Sequence, residues 1–201
     1  AGDARAAIAT GDLEKAGARL DWVMTQSRRL STMLSGLLDY SSIGRKIEAM
    51  EQVDTLRLAS DIRDGFPAGS RMCVTVEGTW PVIETVKAPL ELVIRNLVEN
   101  AAKHHDREAG RITLGCRETS DALWITVTDD GPGIAPSNWE AIFLPFRTLS
   151  ATGAREDGIG LGLALVKRTL DSVGGNITLK SEANGTRGTQ FDVMWPRFFK
   201  S

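Results

Sequence analysis

Residues 88–133, APLELVIRNLVENAAKHHDREAGRITLGCRETSDALWITVTDDGPG, change their apolar rhythm twice. Over 88–104 the apolar residues Leu90, Val93, Ile94, Leu97, Val98 and Ala101 recur at helical spacing, which predicts a helix with one buried face. Arg111–Cys116 and Ala122–Thr128 then alternate apolar with polar on either side of the polar turn Arg117–Asp121, as two strands of a hairpin do. Upstream, Met72–Glu77 is an alternating run inside a stretch, 65–81, that holds two prolines and three glycines. Downstream, residues 147–158 carry almost no large apolar side chain and are expected to form a mobile loop. A helix follows from Leu161 to Val173, stopped by Gly174-Gly175, and two further strands, Ile177–Glu182 and Thr189–Trp195, end at Pro196. Hairpin strands with helices between them imply an α+β fold, a two-layer sandwich with helices on one face of a sheet.

The first part of the chain has a different pattern. Leu13, Ala16, Leu20, Val23, Ser27, Leu30, Leu34, Leu37 and Ser41 follow steps of three and four along residues 11–47, and Met24, Met33 and Leu38 widen the stripe. Such a face suits a helix in a bundle, although a single helix lying on the following domain would show it too. Before it, residues 3–9, DARAAIA, form a short helical stretch stopped at Thr10-Gly11, with Asp12 placed as N-cap of the long helix. The pattern breaks after Gly44, which divides the chain into residues 1–48, part of a helical hairpin, and 49–201, a mixed domain.

Composition narrows the function classes. In 201 residues, 24 Lys+Arg face 26 Asp+Glu for a net charge of −2, which disfavours nucleic acid as a partner. Hydrophobic residues make up 42%, enough for a real core, and no run approaches the ~20 apolar residues of a membrane-spanning helix. The two cysteines, Cys73 and Cys116, stand far apart without metal-binding spacing, so a reducing cytoplasmic setting is expected.

Two glycine turns can bring backbone close to phosphates. Asp129-Asp130-Gly131-Pro132-Gly133-Ile134 follows a predicted strand, and Gly158-Ile159-Gly160-Leu161-Gly162-Leu163 precedes a predicted helix whose N-terminal amides suit an anion. Leu163 stands where a dinucleotide fingerprint needs glycine, and no Gly-Lys-Ser/Thr of a P-loop occurs. Asn96, Asn100 and Lys103 share one helix face at i, i+4 and i+7. An amide oxygen suits hydrated magnesium beside phosphates, and a lysine suits phosphate charge. Singly, Asn100 could equally bond locally and Lys103 could be a solvated surface charge.

The combination and order of these elements resembles the catalytic ATP-binding domain of two-component sensor histidine kinases, a branch of the superfamily that also holds gyrase, heat-shock chaperone and mismatch-repair ATPases. Residues 96–105 look like the family's N box, 129–133 its G1 box, Phe143–Phe146 its F box, 158–162 its G2 box and Gly188-Thr189 its final Gly-Thr element, a match covering roughly 50–196. Residues 34–43, LSGLLDYSSI, are similar to the second helix of the family's dimerisation and phosphotransfer hairpin. The resemblance implies a Bergerat-type fold, ATP and Mg2+ as ligands, a homodimer through helix 11–47 and a response regulator receiver domain as partner. It implies that Asp129 accepts the adenine amine and that Gly131, Gly133 and Ile134 pass under base and ribose. Asn100 would hold magnesium with support from Asn96, while Lys103 and His104 lie on the phosphate or ribose side. Residues 147–158 would be the ATP lid, with Phe146 at its start, Arg147 and Arg155 toward the γ-phosphate, Gly158, Gly160, Leu161, Gly162 and Leu163 along the triphosphate, and Thr189 closing the site.

Two departures matter. The ATPases of the superfamily carry a water-activating glutamate where this chain has Asn96, and an amide cannot take a proton from water, so transfer to another nucleophile is favoured over hydrolysis. The family's phosphoacceptor histidine is also missing, since the two histidines, His104 and His105, both lie in the N box. The stub at 3–9 favours a fragment whose acceptor helix is cut away. A kinase-like regulatory domain without an acceptor is the alternative, and a serine kinase of the anti-sigma type, which normally lacks the long helix, a third.

Overall fold

The computed structural model describes residues 13–43, 49–66, 72–148, 160–181 and 187–197. The predicted stub at 3–9, the Asp12 cap and 149–158 of the predicted lid lie outside the described residues. The chain divides into two units, Ala1–Ser41 and Ser42–Ser201. The first contributes one long helix, α1 (Leu13–Ser42). Of its predicted stripe, Leu20, Val23, Leu30, Leu34 and Leu37 are exposed, Leu30 by 61% and Leu34 by 62%, and Trp22, Met24 and Leu38 are exposed as well.

The second unit runs β1 (Glu51–Asp54), α2 (Thr55–Asp64), β2 (Met72–Gly78), β3 (Val82–Thr85), α3 (Lys87–Lys103), β4 (Gly110–Glu118), β5 (Ala122–Asp129), two short 3-10 turns (Pro136–Asn138 and Ala141–Phe143), α4 (Gly162–Val173), β6 (Asn176–Ser181) and β7 (Thr189–Pro196). Five strands form one sheet in the order β2-β4-β5-β7-β6, parallel between β2 and β4 and antiparallel elsewhere. β1 and β3 make a separate antiparallel pair, in which Val53 faces Ile83 and both are buried.

Alternation decides which sheet face is covered. Ile112 and Leu114 of β4, Leu123, Ile125 and Val127 of β5, and Phe191, Val193 and Trp195 of β7 all point into the core. Thr75, Thr113, Thr126 and Asp192 lie on the opposite, polar face, where Thr75 bonds Thr113 and Thr126 bonds Asp192. The core is closed by α2, α3 and α4, and the six apolar positions anticipated on α3 are its six buried residues. Burying a Leu, Val or Ile side chain contributes about 1.5–3 kcal/mol, so this face holds α3 at one rotation about its axis. Gly174, left-handed at φ +77, ends α4 and lets the Gly175 amide donate to the Leu170 carbonyl at 2.7 Å.

β1, α2 and β3 were not anticipated in the sequence. Each of the two strands has four residues and shows too few buried positions for a period to emerge. α2 is set by local bonds, its Asp54 cap accepting the Arg57 amide at 3.0 Å. Buried polar bonds then fasten these pieces: Thr55 Oγ1 donates to the Pro81 carbonyl, and Trp195 Nε1 of β7 donates to Thr85 Oγ1 at 2.8 Å.

Candidate functional site

β5 ends at Asp129, flanked by Ile112 of β4 and Thr189 of β7. Asp129 Oδ1 accepts the Gly131 amide at 2.8 Å, a local turn that curls the chain back over its own carboxylate. The Gly131 carbonyl in turn accepts the Gly188 amide at 2.9 Å. Gly188 has φ +113, and a Cβ there would lie 2.5 Å from the Asp129 carbonyl oxygen, so the approach requires glycine. Beyond the turn, the Ile134 amide donates to Ser181 Oγ, which donates to the Gly188 carbonyl, while Trp139 Nε1 donates to the Ile134 carbonyl. Asp129, Gly131, Ile134, Gly188 and Thr189 are thereby gathered around one turn, with Gly133 in a left-handed conformation inside it.

The two adjacent carboxylates sit in opposite environments. Burial pushes the Asp129 carboxyl above the usual carboxylate range, against opposing hydrogen bonds from the Gly131 and Thr189 amides. Asp130 is held below that range, first by the Arg111 amide at 2.7 Å and then by His105. A half-buried carboxylate with an elevated pKa, bounded by glycines, is suited to a neutral donor such as an amine.

On α3, Asn96, Asn100 and Lys103 do share a face away from the buried stripe. Asn96 Nδ2 donates to the Leu92 carbonyl at 2.9 Å, and its Oδ1 faces Gly162, where a Cβ would be 3.0 Å away. Asn100 is half-buried, and among the described residues its side-chain amide makes no hydrogen bond, leaving a neutral oxygen free for a cation. Lys103 and His104 are exposed at the helix end. Among the described residues no cluster of three or more His, Cys, Asp or Glu could hold a metal, so a cation here would draw on the Asn100 oxygen and on oxygens that a ligand brings.

The start of α4 has no side-chain cap, so its first amides are available to an anion. Leu161 is buried and Leu163 packs partly against the core, which fixes the direction of that helix end. Gly160, at φ +70, accepts the Phe146 amide at 2.8 Å and lies so near Arg147 that a Cβ would be 2.6 Å from the Arg147 carbonyl oxygen. Phe146 itself is left-handed at φ +63, while Phe143 packs edge-on against Phe191. Arg155 and Gly158 lie outside the described residues. Sequence reasoning missed Ser181, Trp139 and the contacts that hold Asp130, because a bridging hydroxyl or indole has no motif.

Residues 85–198 match the family described as histidine kinase-, DNA gyrase B-, and HSP90-like ATPase. The chain belongs to that family. It is similar to the sensor histidine kinase CpxA of Escherichia coli, 32% identical over 190 residues, which is 90% of this chain and 40% of CpxA. It is also similar to the C4-dicarboxylate transport sensor protein DctB of Rhizobium meliloti, 42% identical over 98 residues, 48% of this chain and 15% of DctB. Among solved structures, full-length ShkA in complex with AMPPNP shares the fold at TM-score 0.75 and 22% identity, over 93% of this chain and 40% of that one. The Acinetobacter baumannii histidine kinase AdeS does so at TM-score 0.74 and 19% identity, over 97% of this chain and 92% of that one. The chain thus contains a histidine kinase catalytic domain of the Bergerat fold and spans well under half of CpxA. No helix among the described residues is long and apolar enough to cross a membrane.

Gly188→Ala should displace the Asp129 turn without touching the core. ATP affinity measured by calorimetry is expected to fall about tenfold or more, the scale of a strained non-glycine residue at positive φ, while the melting curve stays cooperative.

Proposed function

We propose that residues 49–201 bind Mg-ATP and pass its γ-phosphoryl group to a histidine on another segment or chain, for relay to a response regulator receiver domain. The observation that carries this reading is the half-buried Asp129 carboxylate, fixed on a glycine-bounded turn at the end of β5. It would accept the exocyclic amine of adenine and repel the carbonyl that guanine carries at the same place. Gly131, Gly133 and Ile134 would form the floor under base and ribose.

The Asn100 amide oxygen, without a hydrogen bond among the described residues, fits a hard cation, and Mg2+, when bound there, supplies charge neutralisation between the phosphates. The uncapped amides of α4, with Gly158, Gly160 and Gly162, would follow the triphosphate, Lys103 and His104 would flank it, and Arg147 and Arg155 would reach the γ-phosphate from the lid. Asn96, bonded to Leu92 and facing Gly162, would hold the two helices in register and provide no base for water. His105 is a poor acceptor, because its side chain is fully buried and both ring nitrogens are engaged. Regulatory nucleotide binding without transfer is the second reading, favoured by the burial of His105 and by the place of His104 beside the proposed phosphate site.

Radiolabelled ATP separates the two. The chain, mixed with a protein that carries an exposed acceptor histidine on a matching helical hairpin, is expected to give acid-labile label on that protein. Asp129→Asn and Asn100→Ala should each reduce the label at least about tenfold, the scale of one charged or metal contact. ATP binding by calorimetry with no transfer would instead support the regulatory reading, and no binding at all would remove both.

We further propose that residues 1–48 belong to a dimerisation hairpin, since the exposed apolar face of α1 is what a bundle partner would cover. Sedimentation equilibrium should show a concentration-dependent homodimer, which Leu30→Glu with Leu34→Glu weakens. A monomer at every concentration, with the fold intact, would contradict it.

A further inference from the structure

Nucleotide binding as proposed leaves His105 without a role, yet its side chain is fully buried while His104 beside it is exposed. A buried imidazole needs partners for both nitrogens. Nε2 lies 2.9 Å from Asp130 Oδ1, and Nδ1 lies 3.1 Å from both the amide nitrogen and the carbonyl oxygen of Arg107. A neutral ring protonated on Nε2 accepts the Arg107 amide at Nδ1, and a doubly protonated ring donates there to the Arg107 carbonyl. In either state Nε2–H donates to Asp130. Gly110 makes room for the ring, since a Cβ there would run into it.

Asp130 is in turn tied to β4, its Oδ1 accepting the Arg111 amide and its own amide donating to the Arg111 carbonyl at 3.2 Å. Arg187, paired with Asp106, donates from Nε to the Asp130 carbonyl. Asp130 lies directly between Asp129 and Gly131, the residues of the base-reading turn. His105 directly follows His104, the residue that caps α3, the helix of Asn100. The chain of contacts therefore runs from the proposed metal helix, through His105 and Asp130, to the proposed adenine carboxylate.

We propose that His105 is a positioning residue for adenine recognition, fixing through Asp130 where the Asp129 carboxylate stands relative to α3. The proposal rests on the Mg-ATP reading above. Hydrogen-bond strength falls steeply with misalignment, so a turn freed from this tie would read the base less well and tell adenine from guanine less sharply. A residue that merely fills space would leave that discrimination unchanged.

The test is calorimetric titration of the 201-residue chain with ATP and, separately, GTP, in excess Mg2+. The parent is expected to prefer ATP. His105→Leu, which keeps bulk and loses both bonds, should weaken ATP about tenfold, the scale of a hydrogen bond to a charged group, and should reduce the ATP over GTP preference. His105→Gln, whose amide can place an N–H near the Nε2 position, should recover most of both. Should His105→Leu fail to fold, Asp130→Asn, which keeps an oxygen for the Arg111 amide and loses the charge that His105 meets, must lower the preference in the same direction. An unchanged ATP over GTP ratio in the folded variants, or a Gln variant no better than Leu, overturns the proposal. A parent that binds no ATP overturns the underlying reading, and this proposal with it.

Discussion

The carbonyl oxygen of Asp129 and the α-carbon of Gly188 approach so closely that no side chain fits between them, and the site is built on that approach. It lets the Gly188 amide reach the Gly131 carbonyl, which closes the turn above the Asp129 carboxylate. β4 and β7 flank Asp129 on both sides, so the carboxylate is placed by the sheet rather than by a free loop. Sheet placement costs stability at neutral pH. The folded pKa of Asp129 is raised, so its favourable contribution is present in acid and lost as pH rises through that pKa. An ionised carboxylate kept partly from water against that cost suits a site whose ligand donates a proton-bearing nitrogen.

The second constraint is the two-sidedness of α3. Its six buried residues, none more than 7% exposed, lock the helix against sheet and α4, and the same lock turns Asn96, Asn100 and Lys103 away from the core. Asn96 belongs to both aspects, since it satisfies the Leu92 carbonyl within α3 and meets the first glycine of α4. Gly162 lets the start of α4 come close to Asn96, since a Cβ there would lie 3.0 Å from Asn96 Oδ1. Packing, the proposed metal oxygen and the proposed anion-binding amides are consequences of one arrangement of two helices.

Much of this was legible in the sequence because its period was long enough to count. The α3 stripe spans several turns, and β4, β5 and β7 alternate through their middles, so fold class and layer order followed. β1 and β3 offer one or two buried positions each and left no rhythm to read. The glycine turns could be named from sequence, but the residues that hold them could not. Ser181 bonds Ile134 and Gly188 from a strand 47 residues downstream of the former, and nothing in its neighbours marks it. His105 was legible as part of an asparagine-rich helix end, and its partner Asp130 as part of a glycine turn. Their pairing, 25 residues apart, depends on where the sheet brings β4 and β5.

The central claim is that Asp129 reads adenine while Asn100 holds the metal. A crystal structure of the chain with Mg2+ and a non-hydrolysable ATP analogue tests it most directly. The account predicts the exocyclic amine of adenine within about 3 Å of an Asp129 carboxylate oxygen and the cation bound to Asn100 Oδ1. A nucleotide seated away from the Asp129 turn, or a cation held without Asn100, would contradict it.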